Sequence, residues 1–401
     1  MNIIRNLSWI FFANAFSSLT KWLMVILIAK NLTAVEVGVY TLAFAIGAPI
    51  TLFANMKLRS LYITSEGENL KDYLYTRNML SLIAFMTLIL IGYLVYPQYF
   101  IIIILVGISK ILDLQSDMLY AVPHKNGDLN IIGKLMIIKQ LILILVFGAF
   151  LFVFKSLTIA LLSQIITQLL IIIFLEKIIV YRKYKIVFEK LEFKNIKLLL
   201  MLGLPLGFVQ MIFSINSNIP RYVLEHYENA KILGYFAAIM YITTIFNLFV
   251  SSISQVFLPK LTFIYNSRNI QLFKKYLNFY LLGFSILISI LLILTSIFWG
   301  EGILILLYGS EYAVYKDILI LVSISVGLNL ISWNYDTALM AMRYISIQPK
   351  ITFINLVITI IFAIYLIQKY GIQGAAYTLL ISSGMLLIMR SIAVQHNLNS
   401  K

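Results

Sequence analysis

Cysteine is absent from this 401-residue chain, which removes disulfides, thiolate nucleophiles and cysteine-ligated metals or clusters. Histidine is almost absent. His124, His226 and His396 fall in expected loops and the tail and read as solvated residues. Charge is scarce too: 12% of residues are Asp, Glu, Lys or Arg, against about 25% in a soluble domain. With 61% hydrophobic residues and a mean hydropathy of +0.95, a water-soluble fold has no way to hide its apolar surface. Acidic residues are the scarcest charges, 16 against 31 basic, for a formal charge of +15. Catalytic signatures are missing as well, with no Walker loop, HExxH, GxSxG or acidic metal cluster, so nothing calls for a cofactor or for ATP hydrolysis.

What the chain has in abundance is long apolar runs. A spanning helix needs about 20 apolar residues, because the hydrocarbon core is about 30 Å thick and each residue rises about 1.5 Å. Twelve stretches qualify: 8–29, 37–56, 78–96, 99–121, 131–153, 157–176, 198–222, 232–258, 276–299, 316–340, 351–368 and 372–392. They are continuous and far exceed the roughly 10-residue alternating segments of a transmembrane barrel, so the expected fold is an all-α polytopic membrane protein.

Lys and Arg concentrate in every second gap. With the N-terminus inside, 22 basic residues face the cytoplasm and 6 face out, which predicts both termini on the cytoplasmic side. The positive charge is thus a topology signal. Dispersed over short loops without an aromatic platform, it gives no support to nucleic-acid binding. No outer gap reaches twenty residues, which leaves no room for a soluble catalytic domain on that face.

The basic stretch 181–197 reads as a cytoplasmic linker between a six-helix lobe at 1–180 and a second at 198–401. Six intervening helices restore the same orientation, so the lobes form a parallel repeat. Two matches support it. Residues 104–116 align with 320–332 at eight of thirteen positions, with Asp113 facing Asn329, and Ala34-Val-Glu-Val-Gly38 resembles Ala230-Lys-Ile-Leu-Gly234.

Ionisable residues at membrane depth are costly and mark functional candidates. Lys21 stands alone in the first span amid Ser17, Ser18 and Thr20, and needs an anion, water or a ligand. Lys110, Asp113 and Asp117 fall at i, i+3 and i+7 on one face of the fourth span. That face reads either as a charge relay or cavity wall, or as a self-neutralising salt bridge that lets the helix insert. Lys139 lies in the fifth span and Asp336 near the inner end of the tenth. Arg221 follows Pro220 at the outer end of the seventh span, where a guanidinium serves either as a phosphate contact or as an interface anchor, and Arg59 follows the second span.

Taken together, these features resemble the polysaccharide-transporter branch of the multidrug/oligosaccharidyl-lipid/polysaccharide exporter superfamily. The resemblance covers nearly the whole chain. It is strongest in Gly203-Leu-Pro-Leu-Gly207, in Asn218-Ile-Pro-Arg-Tyr-Val-Leu-Glu-His-Tyr227 and in Leu233-Gly-Tyr-Phe-Ala-Ala238, with Tyr308-Gly-Ser-Glu-Tyr312 and Tyr370-Gly-Ile-Gln-Gly-Ala-Ala376 adding to it. It implies two lobes around a central cavity and alternating access. The cargo would be an undecaprenyl-pyrophosphate-linked oligosaccharide moved to the outer leaflet of a bacterial cell membrane for capsule, exopolysaccharide or O-antigen assembly. Membrane lipids and polysaccharide polymerase machinery would be its partners. Lys21, Arg221 and Arg59 are then candidates to receive the pyrophosphate, while Asp113, Asp117 and Asp336 could carry protons and Lys110 belongs to the same relay.

Two other functions compete. A cation-coupled multidrug exporter of the same superfamily would want an acidic cavity, where Lys21 and Arg221 would repel its cargo. A membrane glycosyltransferase or polymerase would want a large extramembrane loop.

Overall fold

A computed structural model of the chain describes residues 2–65, 69–186 and 190–399. Among the described residues there is no strand, and each of the twelve expected spans lies in a long helix to within two residues. The helices are α1 (Asn2–Asn31), α2 (Ala34–Asn55), α3 (Leu70–Leu94), α4 (Phe100–Leu119), α5 (Leu129–Phe154) and α6 (Leu157–Tyr184). They continue as α7 (Phe193–Tyr227), α8 (Ala230–Asn266), α9 (Ile270–Tyr308) and α10 (Lys316–Ala341). A last helical stretch, Gln348–Asn399, is broken at Gly371 into α11 (348–370) and α12 (372–399).

Polar residues set the breaks. Thr33 caps α2, accepting from the Val35 amide while Glu36 reaches back to the Thr33 amide. Asn229 caps α8 in the corresponding place, accepting from Ile232 at 3.0 Å. Gly371 adopts φ 55°, ψ −129°, a conformation open to glycine and strained for other residues. A Cβ there would run into Glu228 Oε1, and one on Gly374 into the Leu366 carbonyl oxygen. The small residues of this stretch therefore make a chain reversal between two spans as well as a packing face.

The chain forms two compact units, Met1–Ser217 and Asn218–Lys401, so the division falls inside α7, beyond the 181–197 stretch. In the first unit α4 packs on α2, α3 and α6, and α1 crosses α5 at Gly133, where a Cβ would meet the Trp9 carbonyl oxygen at 2.8 Å. The early part of α7 leans on the end of α2. A Cβ on Gly203 or Gly207 would sit 2.8 Å from Met56 Cβ or 2.6 Å from the Phe53 oxygen, which is the physical role of the Gly203-Leu-Pro-Leu-Gly207 segment. In the second unit α10 packs on α8, α9 and the Gln348–Asn399 stretch. Helices α4 and α10, which share the local sequence match, thus each pack against several neighbours within their own unit.

Each unit has an apolar core at its basic end. Met56, Tyr73, Leu80 and Met118 contribute to the first, and Phe273, Leu277, Leu339 and Val394 to the second.

Candidate functional site

The polar candidates of the first unit converge, through pairings that run across helices. On α4, Asp113 does not pair with Lys110 one turn away. Its Oδ1 accepts from Lys139 Nζ of α5 at 3.0 Å and from Gln168 Nε2 of α6 at 3.1 Å. Lys139 also donates to Ser116 at 2.8 Å and is only 3% exposed. Asp117 accepts from Arg59 at 3.2 Å, and Arg59 turns its other terminal nitrogen to His124 Nδ1 at 3.0 Å. Guanidinium only donates, so His124 accepts there and is the Nε2–H tautomer. The charge of Arg59 is therefore matched by Asp117.

Lys110 takes another course. Its stem passes Gly47 of α2, whose missing side chain leaves the space: a Cβ there would stand 3.0 Å from Lys110 Cδ. Its ammonium ends 3.4 Å from the centre of the Phe44 ring. Lys21 of α1 lies 5.9 Å from the same ring centre. Neither ammonium has a carboxylate within ion-pair distance or a hydrogen bond among the described residues. The ring face is worth about 2 kcal/mol to a desolvated cation but supplies no counter-charge.

These groups line two adjoining spaces that share Lys21, Asp113 and Gln140. The deeper one, beside Phe44, Lys110 and Gln164, is about 30 Å³, the size of one or two water molecules. The larger one, about 300 Å³, reaches from Lys21 past Lys139 to Arg59 and Asp117. Four cations (Lys21, Arg59, Lys110 and Lys139) and two carboxylates (Asp113 and Asp117) line them, an excess of two positive charges. Such a space is suited to an anion.

Four contributors lie outside the candidates drawn from sequence. Gln164 and Gln168 hold Ser109 and Asp113 from α6, a polar i, i+4 stripe in an apolar run that was readable from spacing. Glu176 sits fully buried behind Tyr120, whose hydroxyl donates to it at 2.5 Å. It lies in a widened π-type turn, Ile171–Lys177. Arg77, one of the 22 basic residues assigned to the cytoplasmic side, is fully buried and caps α2 by donating to the carbonyls of Ala54 and Asn55 at 3.0 and 3.2 Å.

The other two candidates belong to the second unit. Asp336 of α10 pairs with Arg390 of α12 at 3.1 Å, and Arg390 also donates to Ser332. Arg221 donates to Asn218, one turn earlier on α7, at 2.9 Å and lies 5.8 Å from the Tyr241 ring centre.

Residues 3–265 match the family described as polysaccharide biosynthesis protein. The capsular polysaccharide biosynthesis protein CapF of Staphylococcus aureus is 31% identical over 390 residues, covering 96% of this chain and 98% of that protein. Among solved structures, the lipid II flippase MurJ in an inward closed conformation superposes with a TM-score of 0.75 at 17% identity, over 96% of this chain and 87% of that one. An inward-facing multidrug resistance MATE family transporter of the MOP superfamily gives 0.71 at 14% identity, over 96% and 95%. At such identities the likeness to these two structures is one of fold.

Proposed function

This multi-pass membrane protein belongs to the polysaccharide biosynthesis protein family, and we propose that it is a flippase for polyprenyl-pyrophosphate-linked oligosaccharides. It carries them from the cytoplasmic to the outer leaflet of a bacterial cell membrane by alternating access, with both termini cytoplasmic, for capsule, exopolysaccharide or O-antigen assembly. Polymerase machinery takes up the product on the outer face.

The observation that carries this reading is the pair Lys21 and Lys110, two ammoniums at membrane depth beside Phe44 with no carboxylate of their own. Moving a pyrophosphate through hydrocarbon requires that its lost hydration be replaced by fixed cations and polar groups. A pair of lysines left unmatched by the protein performs that replacement, and the Gln140 side chain, which lines both spaces, offers hydrogen bonds to phosphate oxygens or sugar hydroxyls. The same excess of positive charge runs against a carrier of cationic drugs.

Arg59 and Arg221 join the proposal with a shared hold: each would give up part of its present bonding, to Asp117 and His124 or to Asn218, to meet a phosphate. Asp113, Asp117 and Asp336 remain the candidates for ion coupling. Each is held by a basic residue, so taking up a proton would release Lys139, Arg59 or Arg390 and convert proton binding into a change of helix contacts.

The test is translocation of lipid-linked oligosaccharide in a cell lacking its own flippase, with wild type, Lys21→Met and Lys110→Met expressed equally. Restored surface polysaccharide that drops at least tenfold in both variants is the expected result. Restoration unaffected by either change would remove the site, and failure across several donor sugar pathways would remove the function.

A further inference from the structure

A groove of about 290 Å³ opens between α3, α4 and α6 of the first unit. Its depth order follows from the cross-helix hydrogen bonds. Gln115 donates to Ser81, while Gly107 meets Leu88 and Gly92 meets Ile103, so α3 and α4 run in opposite directions. The pairs Ser109–Gln164, Asp113–Gln168 and Tyr120–Glu176 set α6 alongside α4 in the same direction. Lys177 and Tyr181, which follow Glu176, therefore stand at the basic end of the groove. Asn78 comes next going inward, then Gln115, with Leu74 and Leu119 flanking this polar end, and Leu112 and Leu169 line the deepest part.

Two features of this groove ask for an occupant. Asn78 is exposed at the groove with no hydrogen-bond partner among the described residues, and an amide left unpartnered at the edge of a membrane span is costly. Lys177 is likewise exposed and, among the described residues, without a carboxylate within ion-pair distance, one α-helical turn before Tyr181 at the level where headgroups lie. The widened turn Ile171–Lys177 makes this arrangement: Glu176 points inward to Tyr120 while the next residue, Lys177, faces the groove.

From this order we infer that the groove is a binding site for one anionic glycerophospholipid. Its phosphate meets Lys177 and Tyr181, its ester carbonyls accept from the amide of Asn78, and one acyl chain lies along Leu112, Leu169 and Ile173. A cation, then amide donors, then an apolar floor is the order of groups along such a lipid from phosphate to tail. The occupant is separate from the cargo of the proposed flippase, and the inference stands without that reading.

The experiment is native mass spectrometry of the full chain released from bilayers of equal phosphatidylglycerol and phosphatidylcholine. Wild type is expected to retain phosphatidylglycerol preferentially. Lys177→Gln lowers that preference about fivefold, the worth of one lysine close to an anionic surface. Asn78→Leu lowers the retention of both lipids, and Lys71→Gln, at the same basic end of α3 but away from the groove, changes neither. A Lys177→Gln preference equal to wild type overturns the assignment. Displacement of phosphatidylglycerol by undecaprenyl phosphate at equal mole fraction also overturns it, making the groove a berth for the carrier lipid.

Discussion

The pair Asp113–Lys139 offers an asymmetry that can be measured. Lys139 is the buried partner, with 4% of its side chain exposed, whereas 41% of Asp113 faces the cavity. Asp113→Asn removes the carboxylate charge with little change in volume and leaves the Lys139 ammonium buried beside neutral acceptors. Removing one member of a buried pair costs about 3–5 kcal/mol; because the introduced amide still offers an oxygen, the expected loss is about 3 kcal/mol. Lys139→Met leaves Asp113 hydrated from the cavity and still hydrogen-bonded to Gln168, so its expected cost is about 1 kcal/mol, that of one net hydrogen bond. The double variant puts a neutral amide opposite an apolar side chain and is expected to cost about 1 kcal/mol less, or better, than the sum of the two. Reversible unfolding of the purified protein in mixed micelles, read by tryptophan fluorescence, gives the three values. The reasoning is refuted if Lys139→Met costs as much as Asp113→Asn, or if the two effects simply add.

Two further outcomes follow from geometry. Arg77→Lys is expected to lower stability by about 1–3 kcal/mol in the same assay despite keeping the charge, because a single ammonium does not reproduce the planar fork that reaches both the Ala54 and Asn55 carbonyls, and Arg77→Met is expected to cost more. Gly371→Ala forces a Cβ onto Glu228 Oε1 in a conformation that already strains an alanine, for a loss of about 1–3 kcal/mol, and a companion Glu228→Ala is expected to recover the contact part but not the backbone part.

The spans were legible in the sequence because hydrocarbon imposes one rule on every crossing helix, and α2 through α12 follow it with ends fixed by caps such as Thr33 and Asn229. The clustering of Lys21, Lys110, Asp113 and Asp117 was legible in part. Helical spacing reports only neighbours on the same helix, so it offered Lys110 as the mate of Asp113. The actual mate, Lys139, is chosen by desolvation, since the more deeply buried cation has more to gain from the carboxylate. What frees Lys110 is Gly47 on another helix, a contact that no local pattern encodes. The capping role of Arg77 was hidden for a similar reason: a basic residue at a span end shows nothing of the carbonyls it caps on another helix.

The three-helix character of the Asp113 site has a consequence for how the chain enters the membrane. Asp113 is made on α4, its cation arrives on α5 and its amide donor on α6. During synthesis the carboxylate therefore emerges before either partner exists, in a helix that also carries Lys110 and Asp117. Lodged singly in lipid, α4 would bear the whole cost of its charges. The connections from α4 to α6 are short, so the partners that neutralise Asp113 become available only once α5 and α6 have followed α4.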